Sequence, residues 1–135
     1  MASETKERLG IVGVGRMGLA MLKHLVKHGY PVTACDLDDK QRAKAREAGA
    51  TTVKTPAEVA RATDFVIIGV GYDDEVNAVV LGADGLLADL APGSVIAVSS
   101  TAKPDTVKAL EQRAQAQGVG VLDAPICRGR FAADE

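Results

Sequence analysis

The chain has 135 residues, of which 47% are hydrophobic and 25% charged, with a formal net charge of −2. That is enough for one domain with a real core and too short for a two-domain enzyme. The near-balanced charge gives no general attraction to nucleic acid or to an anionic membrane, and no apolar stretch approaches membrane-spanning length, so neither is an expected partner.

The start, Met1 to Arg8, is polar and carries both signs of charge. It has neither the apolar core of a secretory signal nor the acid-poor, arginine-rich character of a transit peptide. Two cysteines, Cys35 and Cys127, are too few for a disulfide framework, and a cytoplasmic setting is expected. Short apolar runs then recur at Leu9 to Val12, Val32 to Cys35, Phe65 to Val70, Val95 to Val98 and Val119 to Leu122. Several are apolar at successive positions without alternation, which is the requirement for a strand covered on both faces.

Helical patterns lie between the runs. From Met17, the residues Met17, Met21 and Leu25 recur four apart with Leu22 and Val26 beside them, while Lys23, His24, Lys27 and His28 form the opposite side, and Gly29 and Pro31 stop the helix. Asp39 to Ala48 is rich in alanine and charge and ends at Gly49; a short strand follows near Thr51 to Val53. Thr55-Pro56 opens another short helix, a capping hydroxyl followed by proline. Asp73 to Leu81 is predicted helical, Gly82, Gly85, Pro92 and Gly93 mark turns, and a last helix starts at Pro104, buries Val107, Leu110 and Ala114, and stops at Gly118. The alternation is βαβ repeated to six strands. Right-handed crossovers make it an α/β Rossmann-type doubly wound parallel sheet with expected order 3-2-1-4-5-6.

In such a sheet the ligand lies beyond the carboxyl ends of the strands, where the order reverses. After the first predicted strand comes Gly13-Val14-Gly15-Arg16-Met17-Gly18, then a helix, then a second strand closed by Asp36. The first glycine permits the tight turn, the second admits a diphosphate to the backbone and the third lets helix and strand pack, while free N–H groups at the helix start face the phosphates. The carboxylate arrives at about the ~20 residues expected of a ribose-binding acid. Asp36 favours NAD, because a carboxylate accepts hydrogen bonds from ribose hydroxyls and repels the 2′-phosphate of NADP. Lys40, Arg42, Lys44 and Arg46 on the next helix leave NADP open, although a solvated helix face is the simpler reading. His24 and His28 share a helix face with no third ligand nearby, so solvated histidines are expected and not a metal site. Cys35 is expected to pack as a small apolar group.

Three blocks in order carry a family resemblance: Gly13-Val14-Gly15-Arg16-Met17-Gly18, Ser99-Ser100-Thr101 followed by Pro104, and Asp123-Ala124-Pro125-Ile126-Cys127-Arg128-Gly129. Over Leu9 to about Gly129 the chain resembles the amino-terminal domain of the β-hydroxyacid dehydrogenases, the group of 3-hydroxyisobutyrate dehydrogenase and 6-phosphogluconate dehydrogenase. The resemblance implies cofactor contacts from Gly13, Val14, Gly15, Arg16, Met17 and Gly18, from Asp36, from Val70-Gly71 and from Thr101. It implies substrate contacts from Cys127, Arg128 and Gly129. Where the family commonly has leucine-proline, Val70-Gly71 stand here, so contact through backbone alone is expected. Cys127 stands for a serine, and Arg128 for a glycine; the arginine either grips an acidic group on the substrate or faces solvent.

The reaction implied is reversible hydride transfer between NAD, or NADP, and a small hydroxy acid. In the family the general acid/base is a lysine after the substrate loop, in or beside a helical second domain that also dimerises. No lysine follows Lys108. The expectation is therefore one cofactor-binding domain over residues 1–135, with a polar tail at 1–7 and a truncated end at 128–135, taken from a parent enzyme that is a homo-oligomer. A stand-alone NAD-binding or sensing module is the alternative.

Overall fold

The computed structural model describes residues 6–124. Six parallel strands form one sheet in the order β3-β2-β1-β4-β5-β6. They are β1 (Leu9–Val12), β2 (Val32–Cys35), β3 (Thr51–Val53), β4 (Phe65–Ile68), β5 (Val95–Val98) and β6 (Gly120–Asp123). The helices are α1 (Arg16–Lys27), α2 (Asp39–Glu47), α3 (Pro56–Ala62), α4 (Asp73–Leu81) and α5 (Pro104–Gln115). This is the expected doubly wound order.

Every residue of β1 is buried, because helices cover the middle of the sheet on both faces. On one face α3, α4 and α5 pack Val59, Val76, Val80 and Leu110 against Val66, Ile68, Ile96 and Val98 of the sheet. On the other, α1 and α2 bring Leu22 and Ala45 onto Leu9, Ile11, Val32 and Ala34. Burying apolar area at about 25 cal/mol per Å² makes these two layers the main source of stability. Strand register puts Val12 beside both Cys35 and Ile68, and Ile68 beside Val98. Four strand ends therefore stand in one row, and the order reverses between β1 and β4.

Local chemistry accounts for the helix starts. Thr55 accepts a hydrogen bond from the Glu58 N–H (3.2 Å), with Pro56 in the first turn of α3. Asp38 caps α2 by accepting from the Lys40 N–H (2.9 Å).

Four details differ from the sequence reading. Strand β4 ends at Ile68, two residues before Val70; the Gly69 N–H still reaches the Val12 carbonyl (2.8 Å), and the chain then turns away. Strand β6 lies one residue later than expected, paired along its length with β5. In α1 the fully buried residues are Gly18, Ala20 and Leu22, whereas Met17, Met21 and Leu25 are half-buried at the margin of the stripe. Between α4 and β5 a 3₁₀ turn, Leu86–Ala88, buries Leu86 and Leu87. A run this short carries no periodicity by which a sequence reading could separate it from the flanking glycine turns.

Candidate dinucleotide site

The turn between β1 and α1 sits at the centre of the row of strand ends. Gly13 has φ +98°, and a Cβ there would lie 2.6 Å from the Gly69 carbonyl oxygen. At Gly18 a Cβ would lie 2.0 Å from the Gly13 carbonyl oxygen. The fold itself thus requires glycine at both places. Gly15 is different: among the described residues a Cβ would meet nothing within 4 Å. Among the described residues no steric contact demands a bare main chain at Gly15, which faces open space.

Gly15 is also the N-cap of α1, which has no side-chain cap and no acidic residue in its first turn. The first helical hydrogen bond comes from the Leu19 N–H to the Gly15 carbonyl (2.8 Å). The amides before it have no carbonyl within the helix to meet, and they carry the positive end of the helix dipole.

Asp36, half-buried, follows the last residue of β2. Its Oδ2 accepts from the Val14 N–H (2.7 Å) and its Oδ1 from the Asp38 N–H (2.9 Å). An ionised carboxylate has about four lone-pair sites, so both oxygens keep capacity for further donors. The carboxylate borders a cleft of about 440 Å³. Val12, Gly13 and Gly15 form its inner wall, and Cys35, Asp36 and Leu37 one side; Pro56, Gly69, Val70, Glu75, Ala78 and Val79 complete it. Leu37 is 95% exposed at the rim, an apolar side chain held in water beside a cleft lined mostly by apolar residues.

Cys35 is buried and free, packed as expected. Burial, reinforced by the neighbouring Asp36 charge, pushes its thiol up to about 11, so it is neutral and unreactive near pH 7.

The residues singled out in the sequence divide as follows. Gly13, Gly15, Asp36 and Val70 line the cleft. Val14 is fully buried and takes part through its main chain. Arg16 is exposed and Met17 half-buried at the start of α1. Val70 brings its side chain as well as its backbone, since its Cγ1 stands against the position a Gly13 Cβ would take (3.0 Å). Gly71 is not part of the wall; it turns off beneath Glu75, whose Oε2 accepts from its N–H at 3.4 Å. Thr101 opens on a second recess of about 510 Å³, shared with Tyr72, Asp73, Asp74, Ala102 and Lys103. Ser100 is buried and donates to the Ile68 carbonyl (3.3 Å), which gives it a structural role. Cys127, Arg128 and Gly129 lie outside the described residues.

The solvated-face reading of α2 fails for Arg42. Its guanidinium is largely covered, donates to the Asp36 carbonyl (2.5 Å) and pairs with Asp39. Arg46 donates to Thr52 (3.0 Å). The β2–α2 turn is tight enough to fold this part of the helix back onto the strand end. Among the described residues no group of three or more metal-ligating side chains occurs, and the ring of His28 meets the His24 carbonyl at 2.7 Å. Leu37, Pro56, Gly69, Glu75, Ala78 and Val79 were not picked out from sequence as site residues. For Leu37 the available signal was a leucine directly after the acid, between charged residues.

Residues 8–135 match the family described as the NAD binding domain of 6-phosphogluconate dehydrogenase. The chain belongs to this family. It is 36% identical over 133 residues to mouse mitochondrial 3-hydroxyisobutyrate dehydrogenase, covering 98% of this chain and 39% of that protein. An oxidoreductase structure from Mycobacterium avium 104 superposes with a TM-score of 0.88 at 32% identity, over 96% of this chain and 45% of that one. The structure of Psf3 in complex with NADP+ and 2-OPP gives a TM-score of 0.88 at 25% identity, over 93% and 45%. The chain spans about two fifths of the length of the curated relatives it matches. It corresponds to the dinucleotide-binding portion of these longer relatives.

Proposed function

We propose that this domain binds NAD as the cofactor half of a dehydrogenase acting on a small hydroxy acid. The Gly15 main chain and the opening amides of α1 receive the diphosphate, and Asp36 accepts the hydroxyls of the adenosine ribose. Leu37, Pro56, Val70 and Val79 sandwich the adenine, and the ring end runs toward Thr101 and the second recess. When bound, the nicotinamide supplies the carbon that gives or takes hydride. The chain's own residues hold it there, screen its adenosine end from water and set its direction across the sheet.

Gly15 carries this reading: among the described residues nothing fills the place of its missing side chain, and a close approach of a diphosphate accounts for the bare main chain there. The preference for NAD over NADP is supported by two carboxylates on the cleft wall, Asp36 and Glu75, with no lysine or arginine among the described wall residues. A 2′-phosphate there would face negative charge on both sides. No lysine stands among the described wall residues, and the Cys35 thiol there is held up to about 11. Proton transfer is accordingly assigned to the parent enzyme's remaining sequence, as are closure of the substrate pocket and homo-oligomer formation. Cys127, Arg128 and Gly129 are proposed as this domain's contribution to the substrate side. The free Cys35 thiol fits a reducing compartment such as the cytoplasm, and no helix among the described residues is long and apolar enough to cross a membrane.

Calorimetric titration of the chain with NADH and with NADPH tests the reading. NADH should bind saturably and at least tenfold more tightly than NADPH, a difference of about 1.4 kcal/mol. Equal or tighter binding of NADPH would overturn the assignment of Asp36 as the discriminating group.

A further inference from the structure

We propose that Gln41 is a positioning residue for the diphosphate-receiving turn, and that it acts by fixing the direction of the Gly15 N–H. The proposal rests on the dinucleotide reading above. Asp38 caps α2, so Gln41 is the third residue of the helix. A glutamine there ordinarily reaches back to the N–H of the capping residue. Here that N–H is already taken by Asp36 Oδ1 at 2.9 Å. Gln41 Nε2 instead donates to the Val14 carbonyl at 2.5 Å, 27 positions back in the chain.

Two consecutive peptide units of the glycine turn are consequently held by side chains. The Gly13–Val14 unit is held through its N–H on Asp36 Oδ2 (2.7 Å), and the Val14–Gly15 unit through its carbonyl on Gln41. A peptide unit is planar and trans, so anchoring the Val14 carbonyl sends the Gly15 N–H in the opposite direction. Gly15 itself lines the cleft and has no side chain whose packing could hold its orientation. Without Gln41, rotation of that unit is opposed only by the neighbouring residues.

The adjacent Arg42 donates to the Asp36 carbonyl (2.5 Å), so the first turn of α2 ties the acid and the turn together. The sugar-binding and diphosphate-binding ends of the site form one hydrogen-bonded unit. Organisation of this kind lowers the ordering cost of binding.

The test compares three probes on the full 135-residue chain and on Gln41→Met, which keeps the length of the side chain and removes the donor. NADH and ADP carry the diphosphate; adenosine does not. Affinity for NADH and ADP should fall about fivefold, as expected of one hydrogen bond, with adenosine affinity unchanged and the fold retained, its thermal midpoint lowered by only a few degrees. Unchanged ADP binding by Gln41→Met overturns the proposal, as does a loss shared equally by adenosine. Gln41→Glu, which cannot donate when ionised, should show the same selective loss and serves where the methionine variant does not fold. A wild-type chain that binds neither NADH nor ADP overturns the functional reading as well, and so separates the two failures.

Discussion

Two sides of one turn obey different demands. On its inner side, Gly13 and Gly18 are glycine because the protein's own backbone leaves no room for a Cβ, at 2.6 Å from the Gly69 carbonyl and 2.0 Å from the Gly13 carbonyl. On the outer side, Gly15 has open space around it. The inner pair serves the fold; the outer one is assigned, in the proposal above, to a ligand. Sequence spacing makes the three look alike; the Gly69 carbonyl just after β4 and the Gly13 carbonyl within the turn itself tell them apart.

The difference can be broken most severely from the inside. Gly18→Ala should destabilise the domain by about 3 kcal/mol or more, because its Cβ meets backbone that cannot yield as a side chain can. Gly13→Ala should follow closely, adding the strain of a left-handed backbone to its clash. Chemical denaturation reads both, and a midpoint near wild type for either would refute the packing described here. Gly15→Ala is the contrasting case: its extended backbone suits alanine, and the loss of a glycine N-cap should cost under about 1 kcal/mol. NADH binding should nevertheless weaken at least tenfold, about 1.4 kcal/mol.

Asp36→Ala comes next. Loss of charge-assisted hydrogen bonds should weaken NADH by about tenfold to a hundredfold, on the scale of 1.5–3 kcal/mol, and should narrow the gap to NADPH. A gap left intact would move the selection elsewhere in the cleft.

Smaller still are the pH effects. The Cys35 thiol is raised from 9.0 to about 11. Between those values the unfolded chain has lost a proton that the native chain keeps, so stability present below pH 9 declines as pH rises toward 11. The loss is on the order of 2 kcal/mol and should be absent in Cys35→Ala. At the acid end, a hydrogen bond from Arg8 holds the Asp64 carboxyl below its ordinary value. Its contribution is present above the ordinary carboxylate range and fades as pH falls through the native value; both side chains are exposed, so only a slight acid shift is expected and Asp64→Asn should remove it.

What could be read ahead of the structure follows the range of the cause. Strand and helix types, the caps at Thr55 and Pro56, and the parallel order all depend on local residues and on the handedness of crossovers, and they are as anticipated. Asp36 was legible for the same reason, as the residue ending an apolar run. The far wall of the cleft was not, because Glu75, Ala78 and Val79 reach it from α4, and nothing in α4's own periodicity marks which face turns toward β2. Arg42 looked like one of four solvated charges, and its burial depends on how closely α2 folds back over Asp36. Gln41 was passed over because its partner, Val14, is distant in the chain.

The most direct test of the central claim is a paired calorimetric titration of NADH into the wild-type chain and Gly15→Ala, with thermal unfolding of both. Saturable wild-type binding, at least tenfold weaker in the variant at a matching thermal midpoint, is the predicted result. Absence of binding by an intact wild-type fold, or equal binding by the two chains, would contradict the account.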